Sequence, residues 1–540
     1  MLGALFSPLA PAAVLLLGAF ILPLVALQLP VWWRIQPWLR YLSAPVLVGL
    51  ALVALLGVRL TFGPDASGEG LELLSGWNFS GLETVAALTI RADTLSLPFL
   101  LLTILILLAV TLATPLVIPT PFKREENVSD LAIWLALGAG ASFLFVSANG
   151  LTLVYAALAF DVLTMFYWLQ RGHRELSIAR LLLGMFTVAG LMLANLTPAT
   201  GAVPGAFWLG LALWLRLGLY PFIEVNVHRR WQDHGELVYL GLSLTVGIYL
   251  VTRVVVGPLT GLVPWLALIL MLLNGLLAWL SDERSDILAR LLLVETALIL
   301  LVAPLDQGVT TAYTVGLILS VVVLWITPPL GQPRFGEGAW SWPYLPAVAA
   351  TLTLIGLPFS LGWLARTTIY QTLLQAENMF FLLLVVVAEG LTLSGLVCYW
   401  LMLWQGDDQN ERHSMVGIVV MVPFLIPGLA LLILSTLTRT NLPPTNFDQA
   451  LRVFIVLLVT IVGAVGLGYF RQQIITRLKI SSPAVAEFAG LGWLLPWWAA
   501  LLNWLGKFIL RIRVILEGQH YLGWALFTAL VGVLIILLGT

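Results

Sequence analysis

Cysteine is almost missing: Cys398 is the one thiol in 540 residues, and it sits inside an apolar stretch. Internal disulfides, Cys-Xaa-Xaa-Cys metal sites and iron–sulfur ligation by this chain alone are thereby excluded, which leaves packing as the role of Cys398. Lysine is nearly as scarce, limited to Lys123, Lys479 and Lys507, and charged residues of all kinds make up 10% of the chain, against roughly 25% in ordinary soluble domains. The formal net charge of -1 and a pI near 6.5 offer no clustered basic surface for nucleic acid. There is no P-loop, no dinucleotide fingerprint, no His-Glu-Xaa-Xaa-His and no Cys/His ligand set; the Gly-Ala-Gly-Ala-Ser run at 138–142 lies in an apolar helix pattern with no strand before it. No flavin, nucleotide, haem, cluster or metal is expected.

What the chain has in excess is apolar surface: 60% hydrophobic residues and a mean hydropathy of +1.01. A soluble fold could not bury that much. Apolar runs of roughly 18 to 25 residues match a hydrocarbon core of about 30 Å, so the expected fold is an all-α integral membrane bundle. Spans are expected near 7–29, 42–60, 95–117, 130–148, 150–168, 176–196, 205–223, 237–256, 261–280, 286–304, 311–328, 344–374 (with a break), 378–404, 415–437, 452–470 and 520–539, about sixteen in all. The first run has no basic flank and is too long for a signal-peptide core, so it reads as an uncleaved span. Residues 61–92 carry Gly, Asn and acids and read as an external loop. In 471–517, Lys507, Arg511 and Arg513 stand beside Trp493, Trp497, Trp498 and Trp504, the composition of a helix lying along the membrane interface or of a short helix dipping into it.

Alternate loops should be rich in Lys and Arg on the cytoplasmic side. Arg34, Arg40, Lys123, Arg124, Arg171, Arg174, Arg180, Arg229, Arg230, Arg284, Arg290, Arg334 and Arg412 fall on one side with the cluster from Arg471 to Arg513; Arg59, Arg91, Arg253, Arg366, Arg439 and Arg452 fall on the other. A multi-pass protein of the cell (inner or plasma) membrane follows, with both termini on the non-cytoplasmic side. The expected organisation is 1–129 (three spans and the loop), 130–404 (the core) and 405–540 (the last spans with the interfacial segment).

An ionisable residue at bilayer depth costs about 2.5 to 3.5 kcal/mol even on lenient scales, so each one is a functional candidate. Asp161 and Arg216 fall near mid-membrane in the fifth and seventh spans, while Glu295, Arg366 and Glu389 fall at similar depths or breaks in the second half. Pro221 and Pro358 interrupt spans seven and twelve, and a pair of Pro-interrupted helices in matching positions points to an inverted-repeat transporter core. An Asp161/Arg216 pair can equally be a lock between helices, and pairing does not exclude transport.

These residues carry a resemblance. The chain resembles the antiporter-like membrane subunits shared by complex I (NADH:quinone oxidoreductase), membrane-bound hydrogenases and Mrp cation/proton antiporters. LTIRADTLSLPFLLL is similar to the family's Asp-Xaa-Leu-Ser opening of span three, and FLFVSANGLTLVYAALAFDVL to spans four and five, with Asp161 where the family has glutamate. WLRLGLYPF resembles the Lys-Xaa-Gly-Xaa-Xaa-Pro-Phe signature, with Arg216 at the lysine; GLSLTVGIYLVTR resembles span eight, with Thr245 at its lysine position. SDILARLLLVETA is a looser match to the opening of span ten, and GLPFSLGWLAR resembles the break of span twelve, with Arg366 at the charged position. About sixteen spans with an interfacial helix before the last one most resemble the ND5-like branch. The resemblance implies two inverted five-helix repeats, spans four to eight and nine to thirteen, partner membrane subunits that hold any redox centre, and a proton path through Asp161, Arg216, Thr245 and Arg366. His228, in the VHRRWQDHGE loop, has a side-chain type suited to proton uptake, although a solvated loop explains it equally well.

Arginine does not release a proton in an ordinary cycle and threonine cannot carry one as a charge. Either protons hop through waters between Asp161, Glu295, Glu389 and His228 while the arginines act as fixed or swinging charges, or the chain is a coupling subunit that does not conduct. The expected function is therefore a proton-translocating subunit of a complex I-like assembly, with three alternatives: an Mrp-type antiporter, an inorganic-carbon uptake subunit, or a non-conducting coupling subunit.

Overall fold

The computed structural model describes residues 7–28, 37–62, 71–74, 88–117, 124–148, 150–172, 174–196, 210, 213–214, 216–217, 234–254, 262–303, 305–327, 345–358, 360–405, 429–430, 433, 447–478, 500, 504 and 507. Two compact units divide the chain, Met1–Ser482 and Pro483–Thr540. In the second, the described residues Ala500, Trp504 and Lys507 are helical.

The first unit is a helical bundle: α1 (Ala10–Gln28), α2 (Pro37–Phe62), α3 (Ser96–Val117), α4 (Arg124–Phe145), α5 (Gly150–Gln170), α6 (Arg174–Leu196), α7 (His234–Val254), α8 (Leu262–Leu280), α9 (Arg284–Val302), α10 (Gln307–Ile326), α11 (Leu345–Ile355), α12 (Leu361–Gln375), α13 (Met379–Gln405), α14 (Phe447–Tyr469) and the short α15 (Arg471–Leu478). Among the described residues, five segments are long and apolar enough to cross a membrane: Thr152–Gln170, Glu236–Arg253, Gly308–Ile326, Met379–Leu403 and Leu451–Tyr469. Without water, every backbone group must be satisfied within the protein, and a helix does this within its own segment. Buried hydroxyls follow the same logic: Thr111, Thr187, Thr296, Thr314, Ser320 and Thr392 each donate to the carbonyl four residues earlier. The expected spans at 205–223, 415–437 and 520–539, and most of the expected interfacial segment, lie largely or wholly outside the described residues.

Burial sorts the helices into layers. The spanning window of α7 is 94% buried and that of α10 is 83% buried, against 28% for α14. Helices α7 and α10 therefore pack against each other at the centre, and both meet α3. Helix α14 leans on α13 and leaves Leu458, Val459, Val462 and Val465 exposed to the surroundings.

The expected break in the twelfth span is present, and its cause is local. Helix α11 ends at Gly356, whose φ of +75° only glycine adopts freely. The Leu357 N–H donates to the Leu352 carbonyl at 3.2 Å and the Gly356 N–H to the Thr353 carbonyl at 3.1 Å, the paired bonds of a Schellman stop. Pro358 follows, and Ser360 starts α12 by accepting from the Trp363 N–H at 3.3 Å. A Cβ on Gly362 would lie 1.9 Å from the Thr353 carbonyl oxygen, so glycine lets the two half-helices abut.

The region 61–92 is not the plain loop expected. Strands β1 (Leu71–Leu74) and β2 (Leu88–Ile90) pair antiparallel, with Leu71 opposite Ile90. Strand β2 also binds the link between α4 and α5: the Arg91 N–H donates to the Val146 carbonyl at 2.6 Å and the Ala148 N–H to the Thr89 carbonyl at 3.0 Å. The Thr89 N–H donates to Thr152 Oγ1 at 2.9 Å, which ties the strand to α5 as well.

Just beyond β2, Asp93 opens α3. Its Oδ1 accepts from the Ser96 N–H at 2.8 Å, while Ser96 Oγ accepts from the Asp93 N–H at 2.8 Å, a reciprocal cap. The Arg253 guanidinium, at the end of α7, donates to Asp93 Oδ2. Burial alone would raise the Asp93 carboxyl, but the hydrogen bonds from Arg253 and the Ser96 N–H together with the Arg253 charge outweigh it and hold the group below its usual range. A carboxyl lowered on folding contributes stability that is full above its unfolded value of about 3.9 and is lost as pH falls through the lower folded value. Asp93→Ala should therefore destabilise the detergent-solubilised protein by about 1–2 kcal/mol. Asp93→Asn, which keeps an oxygen for the cap, should cost less. In thermal unfolding, the gap between wild type and Asp93→Asn should be full near neutral pH and close in strong acid; a gap that widens in acid would contradict the ion-pair assignment.

Candidate functional site

Among the described residues, two groups of buried charges lie within the helical bundle. The first joins α5, α6, α7 and the helical residues at 210–217. Arg216 is helical with Leu213, Trp214 and Leu217, and its Nη1 donates to Asp161 Oδ1 on α5. Asp161 is 0% exposed and Arg216 1%. The guanidinium also sits 5.3 Å from the centre of the Phe160 ring, within cation–π range. The pair leaves polar atoms over: Asp161 Oδ2 and Arg216 Nε and Nη2 are buried without a hydrogen-bond partner.

Arg180 on α6 belongs to this group, although its charge suggested the cytoplasmic rim. It is 1% exposed, and its Nη2 donates to Ser243 Oγ on α7 at 2.6 Å with Tyr239 beneath it at 6.0 Å. Arg180 lies six residues after Arg174, where α6 begins, roughly 9 Å along an apolar helix. That offset is the signal in the sequence that marks it as a buried candidate. Gly184, one turn further on, brings α6 against the acid, since a Cβ there would lie 2.4 Å from Asp161 Oδ2 and 2.8 Å from Asp161 Cβ.

The second group joins α9, α10, α12 and α13. Arg366 on α12 bridges two acids, donating from Nη2 to Glu295 Oε1 at 3.0 Å and from Nε to Glu389 Oε2 at 3.2 Å. Two tyrosines complete it: the Tyr313 hydroxyl donates to Glu295 Oε2, and the Tyr370 hydroxyl donates to Glu389 Oε2 at 2.5 Å. Arg366 Nη1 reaches the Tyr313 hydroxyl oxygen at 3.4 Å. The Arg366 side chain folds over the helix break, where a Cβ on Gly356 would lie 2.4 Å from Arg366 Cδ. Sequence reasoning named the three charges but not the tyrosines, because tyrosine is ordinary in an apolar helix and only the packing shows what its hydroxyl meets.

The two groups share a layout. Asp161 lies eleven residues after Gly150 at the start of α5, and Glu295 eleven after Arg284 at the start of α9. Arg180 and Tyr313 each lie six residues after the start of α6 and α10. Both acids are thus roughly 16 Å along their helices, beyond the reach of snorkelling.

The other candidates are more dispersed. Thr245 is buried on the central α7, but its hydroxyl donates to the Gly241 carbonyl of its own helix at 2.5 Å. Pro358 occupies the break described above, whereas Pro221 and His228 lie outside the described residues. Among the described residues no group of three or more His, Cys, Asp or Glu side chains is arranged to hold a metal ion.

No family model and no curated protein matches the sequence. Solved structures do match in fold. A chain of the membrane-bound sulfane sulfur reductase, an archaeal respiratory membrane complex, aligns with a TM-score of 0.63 at 13% identity over 98% of this chain and 99% of that one. A chain of respiratory complex I from Thermus thermophilus with bound aureothin aligns at 0.58 and 18% identity over 79% and 97%. A chain of the Mrp complex from Dietzia sp. DQ12-45-1b aligns at 0.60 and 15% identity over 86% and 97%. The fold is thus the one used in these membrane complexes, in agreement with the resemblance read from the motifs.

Gly184→Ala should separate α5 from α6 and weaken the Asp161–Arg216 pair, lowering stability by about 1–3 kcal/mol as overpacking does. Gly49→Ala on α2, where a Cβ meets nothing within 4 Å, should leave thermal unfolding unchanged or slightly improved. Equal effects of the two substitutions would show that the close approach at Asp161 is not needed.

Proposed function

We propose that this chain is an antiporter-like, proton-translocating membrane subunit of a complex I-like respiratory assembly. The observation that carries the reading is the pair of fully buried charge groups at equal depth in α5 and α9. Charges at that depth are expensive and serve function by default. On this reading the chain contains two inverted five-helix repeats, in which Asp161 corresponds to Glu295, Arg180 to Tyr313 and Arg216 to Arg366, within a bundle of about sixteen spans on the ND5-like plan. The matched depths and the glycine-stopped helix at α11–α12 support it.

The chemistry follows from the side chains present. Arginine keeps its proton, so Arg216 and Arg366 act as permanent charges that hold or release a carboxylate. Asp161, Glu295 and Glu389 are the groups able to take up and lose protons. Protonating Asp161 would remove the partner of Arg216 and free it to reorient toward Phe160 or the α6–α7 side. A charge displaced in one half changes the field felt in the other, since in low dielectric such forces fall off slowly. Thr245, on the helix between the halves, would relay by rotating its hydroxyl away from Gly241, and His228 would supply protons from the cytoplasmic side. Other membrane subunits supply the driving reaction, and both termini face away from the cytoplasm.

The clamped arginines favour a second reading, a coupling subunit that transmits motion without conducting. The two readings separate in liposomes holding the chain with its native partners. Proton flux should fall at least tenfold in Asp161→Asn and Arg216→Ala with assembly intact, while Arg216→Lys, which keeps the charge in a form able to release a proton, should retain measurable flux. Unchanged flux in both of the first two variants would mean that the buried charges are structural; flux that requires Na⁺ or K⁺ would move the assignment to an Mrp-type antiporter.

A further inference from the structure

The second charge group is unbalanced. Arg366 is the cation facing both Glu295 and Glu389, so with both acids ionised the group carries one excess negative charge. Their side chains are only 1–3% exposed. An uncompensated charge in such a place is more costly than a proton placed on one acid.

The hydrogen bonds indicate where compensation fits. Glu295 has a donor on each oxygen, Arg366 Nη2 on Oε1 and the Tyr313 hydroxyl on Oε2. Glu389 receives both of its donors, Arg366 Nε and the Tyr370 hydroxyl, on Oε2. Its Oε1 is buried and has no partner among the described residues. A carboxylate leaves that oxygen unsatisfied at full charge, whereas a neutral acid with its proton on Oε1 faces only the smaller penalty of one unmet O–H. The groups facing this position are Glu295 from α9, Tyr313 from α10, Arg366 and Tyr370 from α12, and from α14 the uncharged Thr460, whose hydroxyl donates to the Val456 carbonyl at 2.8 Å. Arg290, further along α9, is engaged by Asp286 at 3.3 Å and by Asn274 of α8 at 3.4 Å, and does not supply the missing charge.

We propose that this cluster is a binding site for one exchangeable proton, shared by Glu295 and Glu389 and lodged on Oε1 of Glu389, with Arg366 as its permanent counter-charge. The inference rests on the reading of the chain as an ion-translocating subunit, and it assigns the carrier of the second half to a carboxyl pair held apart by an arginine. Passing the proton from Glu389 to Glu295 breaks one O–H bond and forms another, and Arg366 balances whichever acid is left ionised. The cluster stays neutral throughout, so the step does not bury a net charge.

The test is infrared difference spectroscopy, between acid and alkaline pH in H₂O and D₂O, on the chain in lipid with its native partners. Wild type should show a deuterium-sensitive carbonyl band of a buried carboxylic acid. Glu389→Gln should lose the band. Glu295→Gln should lose it as well, because Arg366 then balances Glu389 alone, and both variants should assemble like wild type since each leaves a neutral cluster. Glu377→Gln, in the exposed turn between α12 and α13, should keep it. A band that survives in both Glu295→Gln and Glu389→Gln would overturn the proposal. So would a wild type with no such band whose carboxylate bands shift with added NaCl, which would make this a sodium site. Flux blocked by Asp161→Asn in the absence of the band would leave the functional reading standing and remove this inference; the band without proton flux in any preparation would do the reverse.

Discussion

The arrangement of the buried polar residues in this bundle follows from the cost of leaving a charge without a partner in a low-dielectric interior. Arg366 illustrates the constraint: a single guanidinium spans α9, α12 and α13 by holding an acid from each of two neighbours. Its planar fork of donors makes that bridge possible, where a lysine would offer only a point charge. Three helices are thereby set at one level, and the tyrosines of α10 and α12 each donate to one of the two acids. The Asp161–Arg216 pair does the same for α5 and the 210–217 helical residues, less completely, since polar atoms on both partners are left over. Buried ion pairs of this kind add little net stability but fix geometry, because losing one partner strands the other.

Glycine and the helix stop serve that geometry. Arg366 can lie across the break only because Gly356 has no side chain and takes a positive φ, and α12 can start beside the end of α11 only because Gly362 has no Cβ to meet the Thr353 carbonyl. Gly184 plays the corresponding part for Asp161. Each glycine trades some helix stability for the close approach of a charged group to a neighbouring backbone. At the opposite extreme, the β2 strand and the Asp93–Arg253 pair tie the ends of α3, α4, α5 and α7 together through backbone bonds and a cap. A bundle that holds buried charges among its inner helices is thus also tied together at the helix ends.

Among the described residues, much of the helical plan is legible in residue order. The expected boundaries at 95–117, 150–168, 237–256, 261–280 and 378–404 lie within a few residues of α3, α5, α7, α8 and α13, because a run of apolar residues as long as the bilayer is thick has few alternatives to a helix. The break near Pro358 was equally readable from Gly and Pro. The strands in 61–92 were not: β1 pairs with β2, and β2 is held in turn by the α4–α5 link, more than fifty residues away in sequence for the Ile90–Ser147 bridge. That Arg180 is buried is not legible from a count of loop charges, which treats a residue six positions into a helix like one at its end.

Composition and spacing thus point to a polytopic helical membrane protein and single out five ionisable residues within its apolar runs, because hydrophobic length and the cost of burying charge are properties of a single chain segment. Which charges meet is decided only by folding. That one arginine serves two acids at 3.0 and 3.2 Å, that a tyrosine donates to each acid, and that one oxygen of Glu389 is left open among the described residues all depend on how helices far apart in sequence pack. Such contacts are short-ranged and directional, so no feature of the sequence around any one of these residues announces them.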